Sequence, residues 1–419
     1  MHVVLAFVFG VVKGVVIVGF HTFASPYDWS RISGYKRTAK AAFGGMIDLS
    51  VGSPIDPVPD SVREALSVAS NDPNAYGYPA TIGTEDLRAA ISEWFRDLRG
   101  VDLSVINAAV VPTVGSKEGV ALMASLLHLG EGDVVVQPAV SYPTYEIGTQ
   151  LAGATVLKVA DVADVTSWQH VPGVKAVWVN SPCNPTGKML STAQMAGIVA
   201  AARQIGAVVL SDECYALMTW AKATRNEHSD VSRGTYSTYS KGLYPTGLHR
   251  GIQSAPCMLD TEVCGGSADG VLMLYSLSKQ SNMAGYRTAF IAGDAAIVSE
   301  MTAYRKQIGQ IIPGPVQAAM AAGLRDYESV TIQRDRYRNR LETLVSALRA
   351  YGYVTNMPDG ALYVWVRAKS GDCWKDMAAL AEIGIIASPG EFYGAPDSLR
   401  FSSTASDQAI ADAAERLAR

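Results

Sequence analysis

The chain reads as an α/β protein: a large domain on a mostly parallel sheet flanked by helices, and a smaller α+β domain assembled from the N- and C-terminal parts. Short apolar runs at 108–114, 133–137, 155–159, 176–180 and 207–211 alternate with helical or irregular links, the rhythm of buried parallel strands. A further run, 270–275, is flanked by glycine and leads into Ser276-Leu277-Ser278-Lys279, so it delivers a lysine to a strand's carboxyl end, where open α/β sheets place their ligands. At 419 residues the chain suits two domains, or one large domain with a companion.

Taken in order, residues 1–20 are apolar almost throughout, and Lys13 interrupts them. The lysine leaves two runs, each shorter than the roughly 20 residues a spanning helix needs. No basic segment precedes them, and 21–25 is a poor cleavage site, so 1–24 reads as an N-terminal extension and not as an anchor. Residues 36–42 make a helical turn or two. A short strand from Ile47 ends at Gly52, and Pro54, Pro57 and Pro59 hold the chain extended after it. Asp60 caps a helix to about 69. The turn-rich loop 74–83 carries Tyr78, which on the residues alone is as readily a loop aromatic packed on its own domain. An amphipathic helix, 84–98, follows.

After strand 108–114, Gly115-Ser116-Lys117 opens an apolar helix placed at 120–129. Such a turn leaves free N–H groups at the positive end of a helix dipole, a ready phosphate cradle, although Gly-Ser before a helix is common. Strand 133–137 runs into a rigid aromatic loop containing Tyr142 and Tyr145. Strand 176–180 leads into Asn184-Pro185-Thr186-Gly187, and strand 207–211 into Asp212-Glu213-Cys214-Tyr215. An acid at a strand's carboxyl end is either a cap or the partner of a cation in the cleft. Residues 222–269 break the rhythm and read as a long surface insertion. Strand 288–292 and a helix from 295 follow; long helices fill 316–351, whose charge-rich part, 334–340, is a solvated face. The tail alternates: strand 361–366, helix 375–382, strand 385–387, then Arg400 in a last strand and a final helix.

Charged residues make up 18% and the net charge is −4, so nothing marks a nucleic-acid surface. Five scattered cysteines without a C-x-x-C pair fit reduced thiols in a cytoplasmic protein better than disulfides or a zinc site; no metal is expected.

Together, Asn184–Gly187, Asp212–Tyr215, Ser276–Lys279 with Arg287 eight residues on, and Arg400 resemble the class I/II aminotransferases, pyridoxal-phosphate enzymes of fold type I. The likeness covers about residues 25–419, and all four motifs occur in order. It implies a small domain from 25–60 and 310–419 and a large cofactor-binding domain from 61–309. Stretches 48–57, 77–83, 141–145, 278–287 and 315–319 are most similar to the actinobacterial N-succinyldiaminopimelate aminotransferases.

The resemblance implies roles. Lys279 would be the covalent anchor of pyridoxal 5′-phosphate and the group that moves the substrate Cα proton. Asp212 would pair with the pyridine nitrogen, Asn184 and Tyr215 would bond the ring oxygen, and Tyr142 would stack on the ring. Gly115, Ser116, Lys117, Ser276 or Ser278, and Arg287 would hold the phosphate, with Tyr78 reaching it from a second copy in a homodimer. Arg400 would clamp the substrate α-carboxylate, helped by backbone near Gly52 and by Asn184. The implied reaction moves an amino group between glutamate and N-succinyl-2-amino-6-oxopimelate, in lysine and cell-wall precursor synthesis. Another aminotransferase specificity (aspartate, alanine or an aromatic acid) and a carbon–sulfur β-lyase on the same fold would use the same cofactor motifs.

Overall fold

The computed structural model describes residues 11–12, 15–16, 27–220, 248–249 and 252–419. The N-terminal extension and the first part of the expected insertion lie largely outside those residues.

Seven strands make the main sheet: β1 (Ala108–Val114), β2 (Val134–Pro138), β3 (Thr155–Val159), β4 (Val174–Asn180), β5 (Val208–Asp212), β6 (Val271–Ser276) and β7 (Thr288–Asp294). Their order is β1-β7-β6-β5-β4-β2-β3. All neighbours are parallel except β7, which runs antiparallel to both β6 and β1. Reversal of β7 has a consequence for the site: its amino end lies at the same sheet edge as the carboxyl ends of the others. The strands are apolar on both faces, as a sheet covered twice requires. Along β6, Val271, Met273 and Tyr275 enter one core, whereas Leu272 and Leu274 enter another.

A third cluster is built from the helix Ser33–Ala41, Cys214, Tyr215, Met218 and Trp220, and the chain from Tyr337 onward. It surrounds a three-stranded antiparallel sheet in the order Tyr363–Arg367, Ser398–Ser402, Ser388–Pro389. The helix Gly314–Arg325 belongs instead to the core of the main sheet, packing on the helices Asp60–Ser70 and Glu85–Trp94.

Several expectations need correction. The early strand is only Ile47–Asp48, and the chain from 51 to 59 is irregular, because its prolines cannot donate to a ladder. The helix expected at 120–129 is Ser116–Leu126, since Gly115 at φ 78° is its N-cap and Gly119 inside it is tolerated by close packing on Leu274. The helix expected at 84–98 is regular from Glu85 to Trp94, capped by Thr84, and continues as a π-helical turn, Phe95–Arg99, that carries Arg99 inward. Residues 252–269 are not a surface insertion: Ile252, Cys257, Met258, Leu259 and Val263 are buried in the main core. Missing periodicity misled there, because a short buried segment needs none. The charge-rich stretch 334–340 is likewise only partly solvated, since Arg334, Tyr337 and Arg340 are buried.

Candidate active site

Five carboxyl ends and one amino end of the sheet converge on one cavity of about 270 Å³. It is lined by Ser116 and Lys117 after β1, Tyr142 after β2, Asn184 after β4, Asp212 and Tyr215 at the end of β5, and Ser276, Ser278 and Lys279 after β6. Arg287, just before the reversed β7, completes that edge. Gly52, Tyr363 and Arg400 close the opposite wall. Gly115 lies directly behind Arg287. Tyr78 is fully exposed and outside the cavity.

Lys279 sits on a single helical turn, Leu277–Gln280, whose N-cap is the Ser276 hydroxyl. Its ammonium donates to the Gly52 carbonyl at 2.5 Å. Burial, with Arg400 and Arg287 nearby, lowers its pKa to about 8, so a sizeable neutral fraction exists near neutral pH. Burial acts on Asp212 in the opposite sense and raises its pKa. Two donors work against that: Tyr145 Oη gives a hydrogen bond to Oδ2 at 2.8 Å, and the Cys214 N–H one to Oδ1 at 3.1 Å. Beneath Asp212, the buried Glu213 is paired with the equally buried Arg99 at 2.6 Å.

Arg287 has a left-handed backbone at φ 57°. Its guanidinium donates to the Ala284 carbonyl at 2.8 Å and fills the space any side chain at position 115 would occupy. Glycine is therefore required there twice, by its φ and by this approach. The Ser278 hydroxyl accepts from the Ser276 hydroxyl at 2.7 Å. On the opposite wall, Arg400 donates to Asn184 Oδ1 and to the Ser50 carbonyl, both at 2.7 Å. Its guanidinium lies 4.0 Å from the Tyr363 ring centre, and its Nε is buried without a partner. The Tyr363 hydroxyl pairs with that of Tyr215 at 2.7 Å.

Sequence reasoning did not single out Tyr27, Trp29, Tyr145, Asn180 or Tyr363. Asn180 orders two motifs together: its amide donates to the Asp212 carbonyl at 2.8 Å and its Oδ1 accepts from the Asn184 N–H at 2.7 Å. Tyr145 is stacked on Trp178 with ring centres 4.6 Å apart. Its only signal was its place three residues after Tyr142.

The family model for aminotransferase class I and II matches residues 44–417. The chain belongs to the class I and II aminotransferases. Over 393 residues it is 38% identical to the 4-dedimethylamino-4-oxo-anhydrotetracycline transaminase OxyQ of Streptomyces rimosus, covering 93% of this chain and 98% of that one. It is also 38% identical to the probable aminotransferase Rv1178 of Mycobacterium tuberculosis, covering 93% and 84%. An aminotransferase structure from Neisseria meningitidis superposes with a TM-score of 0.78 at 24% identity, covering 94% of this chain and 96% of that one. This aminotransferase is accordingly a fold type I enzyme whose cofactor is pyridoxal 5′-phosphate.

The cavity's donor set fits that group. Asp212 is a buried carboxylate that forms no ion pair among the described residues, and a protonated pyridine nitrogen would answer it. The helix start at Ser116 and the Arg287 guanidinium form a cationic corner suited to a phosphate. Among the described residues no helix is long and apolar enough to cross a membrane.

Proposed function

We propose that this aminotransferase carries amino groups from glutamate to N-succinyl-2-amino-6-oxopimelate through one site used in two successive half-reactions. The observation behind it is the convergence of a lysine of lowered pKa, a buried carboxylate and a buried arginine on one cavity, joined to the likeness of stretches 48–57 and 278–287 to enzymes of that specificity.

When bound, pyridoxal phosphate supplies the electron sink for the charge left at Cα on proton loss. The protein's own part is positional and electrostatic. Arg400, already held by Asn184 and Ser50, presents its fork to the substrate α-carboxylate, an arrangement a lysine could not copy. Lys279 would hold the cofactor, and its amine, buried and lowered in pKa to about 8, would be the base that takes and returns the substrate Cα proton. Asp212, ionised with help from Tyr145 and Cys214, keeps the pyridine nitrogen protonated. Tyr215 and Asn184 would bond the ring oxygen, and Tyr142 would cover the ring. The Gly115–Lys117 turn, Ser276, Ser278 and Arg287 hold the phosphate.

In the same reading the enzyme is a cytoplasmic homodimer with two domains per chain, and Tyr78 completes the phosphate site of the other copy. Its full exposure beside the exposed Tyr76 and Ile82 supports a covering partner. A second acceptor class deserves a parallel assay: the likeness to a tetracycline-series transaminase and the aromatic lining of Tyr27, Trp29, Tyr142 and Tyr363 favour a bulky cyclic ketone. The deciding experiment follows 2-oxoglutarate formation from glutamate with each acceptor. Turnover of the succinylated acceptor is expected; turnover of the cyclic ketone alone would refute the proposed substrate.

A further inference from the structure

We propose that Arg305 is a positioning residue for the cofactor phosphate: by gripping Glu118 with both ends of its guanidinium, it cancels an acid charge at the helix start that receives the phosphate and ties that carboxylate to the end of β1. The inference rests on the reading of the corner made by Ser116 and Arg287 as the phosphate site, and adds to it a residue outside the cavity.

A conflict in the local sequence leads to it. Glu118 is the acid in the first turn of the helix Ser116–Leu126, where the dipole favours a negative charge. A phosphate draws on the same partial charge and the same free N–H groups. Two anions thus compete for one helix end, and at such short range in a partly buried site their repulsion weakens phosphate binding. The helix start can serve a phosphate only where another group meets the charge of the acid.

Arg305 is that group. It belongs to the helix Ala295–Gln307, which packs on β1 and β7. Its fully buried guanidinium donates to Glu118 Oε1 at 2.8 Å and to Oε2 at 2.9 Å, the two-pronged geometry in which arginine binds a carboxylate best. Nη2 also donates to the Gln310 carbonyl at 3.2 Å, and Nε is buried without a partner. A buried ion pair adds little net stability over apolar side chains of similar size, so packing alone does not explain an arginine here. Held in this way, Glu118 Oε2 reaches past Gly115 and accepts from the Val114 N–H at 3.1 Å. The Val114 carbonyl accepts from Arg287 at 3.4 Å. The end of β1 is therefore gripped by the Arg305–Glu118 pair through its N–H and by Arg287 through its carbonyl, and the phosphate turn starts from that fixed point. Arg305 does not line the cavity; it acts through Glu118.

The test titrates the apoenzyme with pyridoxal 5′-phosphate and with pyridoxal, which lacks the phosphate, and follows the absorbance of the bound cofactor. Bonding to Lys279 is common to both, so the ratio of the two affinities isolates the phosphate. Arg305→Met exposes the site to the Glu118 charge, and the ratio of phosphorylated to unphosphorylated affinity is expected to fall roughly 10- to 100-fold. Glu118→Gln keeps an acceptor for the Val114 N–H and leaves the arginine charge uncancelled, so the ratio is expected to rise, by about threefold or more. The double variant carries neither charge and should return to within about threefold of wild type. Opposite signs and recovery in the double variant separate charge cancellation from plain structural support, which would weaken both ligands alike. An unchanged ratio in Arg305→Met, a ratio unchanged or lowered in Glu118→Gln, or a double variant no better than Arg305→Met would each overturn the inference; if Arg305→Met does not fold, the Glu118→Gln arm decides alone. Wild type binding both ligands equally would overturn the phosphate reading as well.

Discussion

The two walls of the cavity are made differently. On the cofactor side the groups come from the edge of one sheet, and its acids are held from behind by buried polar contacts: Asp212 by Tyr145 and Cys214, Glu213 by Arg99. On the substrate side the groups come from segments far apart in sequence: Tyr363 and Arg400 lie on paired strands of the small antiparallel sheet, and the segment leading to Gly52 is joined to it by the hydrogen bond from the Ser402 N–H to the Leu49 carbonyl. Arg400 reaches across to Asn184, Lys279 to the Gly52 carbonyl, and the Tyr215 and Tyr363 hydroxyls pair, so the walls touch through three polar contacts among the described residues. The lesson is a division of labour. A rigid edge can serve the chemistry common to a whole family, whereas the wall assembled from separate segments can vary with substrate.

Substitutions on the cofactor side should therefore slow all substrates alike, and those opposite should discriminate. The largest effect is expected for Lys279→Ala: a loss of roughly a thousandfold or more in kcat for every donor, the scale of a lost general base. Kinetics that spared one donor would break the distinction. In wild type, capture of the cofactor by apoenzyme should accelerate as pH rises through about 8, because the amine must be neutral and its pKa is lowered to that value. An acceleration centred near the ordinary lysine value of 10.5 would contradict the burial argument.

Next in size is Arg99→Ala, which leaves Glu213 buried and unpaired under the site. A destabilisation of about 3–5 kcal/mol is expected in denaturant unfolding. Arg99→Ala as stable as wild type would mean the cofactor wall does not depend on its buried support.

The same contrast governs what the sequence disclosed. The cofactor wall is written in contiguous pieces, because a strand end and the turn after it supply several ligands within a few residues, as in 212–215 and 276–287. Lys279, Asp212, Asn184 and Arg287 were therefore legible together, and the alternating apolar runs disclosed the sheet. Tyr363 was not, since an inward tyrosine on a strand looks like any core residue until Tyr215 and Arg400 are seen against it. Tyr27 likewise is recognised only when it is seen against Phe392 and the cavity. Periodicity failed where elements were short and buried, as at 252–269, and at the start of the helix at Ser116, where one glycine conformation sets the boundary.

Arg400→Lys probes the opposite wall. Loss of the guanidinium fork should raise KM roughly 10- to 100-fold for all α-carboxylate substrates while cofactor affinity holds; equal loss of cofactor affinity would show the walls to be one unit. The smallest effect sharpens the cofactor side. Tyr145→Phe removes a donor that favours ionised Asp212, so kcat should fall roughly fivefold, about 1 kcal/mol. The Asp212 pKa should rise further, moving the acid limb of the pH profile upward; an unmoved limb would leave Tyr145 a packing residue only.

The central claim is that Lys279, and no other lysine in the cavity, carries the cofactor. Borohydride reduction of the purified enzyme followed by peptide mass mapping tests it directly. A phosphopyridoxyl label on Lys279 is the predicted result; a label on Lys117, or none on Lys279, would contradict it.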